Sequence, residues 1–188
     1  MEVHFRRTGE RRYAVIINRK GLPIVEMDPA PGFDPLIPHD LMHLVVESEL
    51  GLSRGIFGQV ANGGTAGTFH VQSPDRKTRA ASRQRRRTAK RGEKLLRDGH
   101  EDCARSERAT YICWYEWLVR SSDPKRRSQA TKMSSETKHS WLRSRRSEND
   151  ALNEEIIGRV CARLNDLSAR WSRLGIGESL TIEWPEKN

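Results

Sequence analysis

The sequence predicts an α+β fold, a small and mostly antiparallel sheet packed with three to four helices. Three observations carry this expectation. The first 28 residues fall into short runs of alternating apolar and polar residues separated by turn signals. The residues just before Pro185 repeat that pattern. Between the two ends, several stretches place apolar residues three and four apart, as one face of a helix requires.

The strands come first. Val3 and Phe5 alternate with polar neighbours, and Thr8-Gly9 supplies a turn. Tyr13, Val15 and Ile17, interleaved with Ala14 and Ile16, predict a strand apolar on both faces. Asn18-Arg19-Lys20-Gly21 offers the next turn, and Leu22 to Met27 a third strand. Ser179 to Trp184 is β-prone, and a lone strand leaves its backbone groups unpaired, so its expected place is beside the N-terminal strands.

Helices fill the middle. Pro29, Pro31, Pro35 and Pro38 punctuate a linker, Asp34 is placed to cap the helix that follows, and Gly51 to end it. The glycine-rich stretch from Gly51 to Gly67 matches neither a Walker A loop nor a GxGxxG turn, and reads as a connector. Glu101 to Arg120 carries Tyr111, Trp114, Tyr115 and Leu118 at helical spacing, a stripe that predicts core packing. A shorter helical piece carries Trp141 and Leu142. The last helix is capped by Asn149 or Asp150, closed by Gly175, and lays Leu152, Ile156, Val160, Leu164, Leu167 and Trp171 along one face.

The length of 188 residues suits one domain. Within it, residues 1–75 hold the meander and first helix, 76–146 a basic, partly flexible helical segment, and 147–188 the last helix and strand. No apolar run is long enough to span a bilayer, and the start, Met1-Glu2-Val3-His4, lacks the apolar core of a secretory signal. The three cysteines, Cys103, Cys113 and Cys161, form no CxxC pair and suit a reducing compartment, so the cytoplasm is expected. A membrane partner is not.

The charge is +9 but lopsided. Residues 76–146 hold 22 Lys and Arg against 8 Asp and Glu, while the remainder holds 12 against 17. The densest run contains Arg83, Arg85, Arg86, Arg87, Lys90 and Arg91, whose mutual repulsion predicts an exposed loop or a frayed helix start. Such a run is either a solvated linker or a contact for phosphates through counterion release. Aromatic residues that would stack on bases are absent between Val71 and Thr110.

His39, Asp40 and His43 form the most specific chemical pattern. Residues four apart on a helix share a face, so two imidazoles at 39 and 43 can hold one divalent ion. In HExxH metalloproteases a glutamate follows the first histidine as general base; here the shorter Asp40 stands there. Glu47 extends the face, placed to orient His43 or to move protons. A third ligand must come from elsewhere, with His70, His100 beside Glu101 and Asp102, or Glu155 as candidates.

The segment His39-Asp40-Leu41-Met42-His43 resembles the HDxxH element of the ubiquinone-biosynthesis zinc-binding family. The resemblance implies His39, Asp40 and His43 as ligands. That family's pattern continues to a glutamate 12 residues after the second histidine, where this chain has Gly55, and the family is mainly helical.

Two functions compete at this level. One is a zinc- or other divalent-metal-dependent hydrolase acting on a small-molecule or peptide substrate. His39 and His43 would hold the metal, Asp40 and Glu47 serve catalysis, and Arg54 receive an anionic group. The other is a non-enzymatic protein whose basic segment, residues 76–146, meets nucleic acid or an acidic protein.

Overall fold

The computed structural model describes residues 1–72, 78–131 and 152–184. Five strands form one antiparallel sheet in the order β4-β3-β2-β1-β5, with β1 Glu2–Gly9, β2 Arg12–Asn18, β3 Val25–Ala30, β4 His70–Val71 and β5 Ser179–Glu183. Register follows the alternation. Val3 and Phe5 lie opposite Ile17 and Val15 on one side, and opposite Ile182 and Leu180 on the other. Val15 and Ile17 in turn face Met27 and Val25. All of these side chains are buried on one face, so the sheet has a covered side. The C-terminal strand lies beside β1, as expected.

The strands differ from the sequence reading in two boundaries and in one added strand. The first turn lies beyond Gly9, which pairs with Arg12. The third strand starts at Val25 rather than Leu22, because Leu22 closes a turn by donating its N–H to Arg19 O at 3.1 Å. The two-residue β4 is too short to show a period.

The described residues contain helices α1 His39–Leu50, α2 Ile56–Ala61, α3 Arg79–Asp98, α4 His100–Val119, α5 Pro124–Thr131 and α6 Glu154–Trp171. Asp34 serves a turn before α1, accepting from Leu36 N at 2.7 Å, and α1 itself starts after Pro38. Gly51 ends α1 in the left-handed conformation (φ 62°), where glycine carries no Cβ penalty. Every residue of α1 from Asp40 to Glu47 is buried, so it is the central helix, packed against α4, α6 and α2.

Of the two expectations for the basic run, loop or frayed helix start, the structure shows helix. Thr78 caps α3 by accepting from Ala81 N, and the run continues through twenty helical residues, because Ala, Arg, Gln and Lys are strong helix formers. The cap of α6 is Asn153, which accepts from Ile156 N at 2.9 Å. The helix stops at Trp171, four residues before Gly175. Its buried face holds Ile157, Val160, Leu164, Leu167 and Trp171, with Ile156 at the margin. Trp141, Leu142, Asn149 and Asp150 lie outside the described residues. Among the described residues no helix is long and apolar enough to cross a membrane.

Candidate metal centre

The face of α1 that carries His43 and Glu47 meets α4. There His43 Nδ1 lies 2.9 Å from Ser106 Oγ and 3.3 Å from Thr110 Oγ1. Ser106 donates to Glu47 Oε1 at 2.7 Å, which commits its single proton. Its oxygen is then an acceptor, and His43 fills it from Nδ1–H. While Glu47 is ionised the tautomer follows: Nε2 of His43 then carries the lone pair.

That lone pair does not face solvent alone. His39 Nε2 is 3.0 Å from it, and Glu107 Oε2 is 3.6 Å away. His39, His43 and Glu107 each bring one ligand atom, all within 4.8 Å of one another. Two nitrogens bound tetrahedrally at ~2.0–2.1 Å from zinc stand ~3.3 Å apart, close to the spacing here. The group can therefore hold a metal ion. His43 is sealed at the bottom and Glu107 is half-exposed at the rim, so the site opens on one side.

Burial dominates the electrostatics. It pushes His43 down to about 3, with His39 adding to the effect, so the imidazole is neutral and ligand-competent at ordinary pH. It pushes Glu47 up to about 7, against the Ser106 hydroxyl and the backbone N–H groups of Ile56, Phe57 and Gly58. Glu47 accepts from Ile56 N at 2.7 Å and Phe57 N at 2.9 Å, so it caps α2 from a neighbouring helix. A Cβ at residue 55 would overlap the Glu47 carboxyl group, which is why glycine stands there.

The remaining residues singled out in the sequence are dispersed. Asp40 is engaged by the Tyr13 hydroxyl, which also lies 2.5 Å from Pro31 O. Burial raises Asp40 above the ordinary carboxylate range, against the Tyr13 hydroxyl and His39. His70 is on β4, Glu155 pairs with Arg159, and Asp102 accepts from Arg54 N at 3.2 Å. None of these, nor His100, joins the three-ligand group. Glu107 was missed in the sequence. Its signal was the polar edge of α4, where Ser106, Glu107 and Thr110 interrupt an aromatic helix.

The chain matches no protein-family model, no curated protein and no solved structure. The functional reading therefore rests on the geometry.

Proposed function

We propose that the chain is a divalent-metal-binding protein, with zinc the best fit to its two-His, one-carboxylate set, and that it works as a metal-dependent hydrolase. One observation carries the reading. Three potential ligand atoms converge within 4.8 Å of one another: His43 Nε2, His39 Nε2 and a Glu107 carboxylate oxygen. A proton on His39 Nε2 relieves one pair and leaves Glu107 facing a lone pair, whereas a divalent cation satisfies all three.

Three protein ligands are the number found in catalytic zinc sites, where the fourth position belongs to water or substrate. A metal ion so held lowers the pKa of a bound water toward ~7 and polarises a carbonyl or phosphoryl oxygen. The chain's own contribution is orientation. Glu47 fixes the His43 tautomer through Ser106, and Asp40 with Tyr13 anchors the first turn of α1 beside His39. Both carboxyls are buried and engaged, so in this reading they position ligands rather than touch substrate. The half-exposed Glu107 borders the side from which a small-molecule or peptide substrate would enter.

The test is metal content by mass spectrometry on protein purified without a His tag, beside His39→Ala/His43→Ala and Glu107→Gln variants. One equivalent is expected in the parent, none in the double variant, and weakened retention in Glu107→Gln. Absence of bound metal after incubation with zinc, manganese or iron would overturn the reading.

A further inference from the structure

The basic run of the sequence becomes, in the fold, an ordered stripe. At about 100° per residue, Arg79, Arg83, Arg86, Lys90, Lys94 and Arg97 fall within about 80° of the α3 circumference and run about 27 Å along it. All six are exposed. The opposite side of α3 carries its anchors: Thr88 and Gly92 are buried, and Leu95 and Gly92 lie against the loop at Gly64 and Thr65. Arg87 and Arg91 flank the stripe, Arg85 lies toward the anchored side, and Glu93 and Asp98 are the two acidic residues of the helix, at its borders.

The stripe is also uncompensated. Several arginines elsewhere are neutralised: Arg159 and Arg163 by Glu49, Arg170 by Asp166, and Arg120 by Glu116 and Glu154. Among the described residues none of the six α3 cations makes such a pair. One cation per helical turn, unpaired over five turns, is a costly arrangement for a helix standing alone, since like charges four apart repel.

The geometry points to a polyphosphate backbone as the partner, and we propose that α3 binds double-stranded nucleic acid along its phosphates without reading sequence. Other anionic partners fit less well. A membrane-surface helix needs a broad apolar face, and the only large apolar residue of α3 that is exposed is Leu96. An acidic protein partner needs aromatic or aliphatic anchors at the centre of the interface, and the stripe has none. Single-stranded nucleic acid is held by aromatic stacking, and α3 contains no aromatic residue. Phosphates in a duplex ask only for cations in a row, which is what the stripe provides.

The experiment is fluorescence anisotropy with a labelled random-sequence DNA duplex, titrated with salt in the presence of chelator so that bound metal plays no part. Six phosphate contacts give a slope of log K against log salt of about −5. Arg86→Gln/Lys90→Gln/Lys94→Gln is expected to reduce the slope by about 3, at unchanged helix content by circular dichroism. Arg159→Gln/Arg170→Gln/Arg173→Gln removes the same net charge away from α3 and is expected to leave the slope within about one unit of the parent. If the triple α3 variant fails to fold, Lys90→Gln alone reduces the slope by about 1. The proposal is overturned by no duplex binding at 50 mM salt. It is overturned equally by a slope that follows net charge in both variants alike, or by capture on anionic vesicles without duplex binding.

Discussion

Helices α1 and α3 are both rich in ionisable residues, yet their charges obey different physics. In α1 the groups at 40, 43 and 47 are buried, and desolvation outweighs every other influence on them. Each must therefore be neutral or hydrogen-bonded, and each is held in one geometry. In α3 the six stripe cations are exposed to water and individually screened. A function placed on α1 depends on the position of single atoms, whereas one placed on α3 depends on a summed field.

The largest expected contrast is in stability. Glu47→Ala strands the Ser106 hydroxyl and the N–H groups of Ile56 and Phe57 and leaves a void, so it should cost about 3 kcal/mol or more. Arg86→Ala should stay within about 0.5 kcal/mol. Urea denaturation of the two variants decides it, and equal costs would dissolve the distinction between the helices.

Next in size is pH dependence. Glu47 is raised from 4.5 to about 7, so its contribution is complete below 4.5 and is lost as pH climbs through 7. Relative to the parent, Glu47→Gln should therefore gain about 1.4 kcal/mol per pH unit across that window. His43 has the opposite sign. Lowered from 6.5 to about 3, it contributes fully above 6.5 and loses its contribution as pH falls. His43→Gln should accordingly gain on the parent as pH drops below 6.5. Denaturation midpoints at several pH values test both slopes, and α3 variants should show neither.

A smaller effect sits at the start of α1. Tyr13→Phe removes the partner of buried Asp40 and should cost about 1–2 kcal/mol while leaving metal content unchanged, since Asp40 lies outside the ligand group. Metal lost from this variant would tie Asp40 to the site.

The same contrast explains how much was legible in the sequence. The β1, β2 and β5 register follows from Val3, Phe5, Val15, Ile17, Leu180 and Ile182, because period-two alternation is a local property. The His39–His43 pairing was legible because helical spacing alone sets it. Glu107 was not, because its approach depends on how α4 packs on α1, and no spacing within either helix encodes that. Glu47 was visible as an extension of the histidine face, but its part as the cap of α2 was hidden, since α2 lies in a glycine-rich stretch with no helical period. For α3 the sequence left a loop and a frayed helix start both open. Repulsion among Arg85, Arg86 and Arg87 does not decide between them, because those charges point in different directions around a helix, and propensity with a Thr78 cap makes the run helical.

The smallest expected effect is the most telling about α3. Its outward residues are like-charged neighbours at helical spacing, with Arg86 four before Lys90 and Lys90 four before Lys94. Each such pair opposes the helix by about 0.2–0.5 kcal/mol. Lys90→Glu turns two repulsions into two attractions, so it should stabilise the protein by about 0.8–2 kcal/mol at low salt, with the gain fading as salt is added. The same substitution places a carboxylate in the middle of the stripe and should weaken duplex binding. In α1, changing a charged group lowers stability and site integrity together; in α3, the two should move in opposite directions. Thermal melts of Lys90→Glu at low and high salt, set beside its duplex affinity, test this. If the substitution destabilises the protein at low salt, the α3 charges are engaged in the fold rather than held in reserve for a partner.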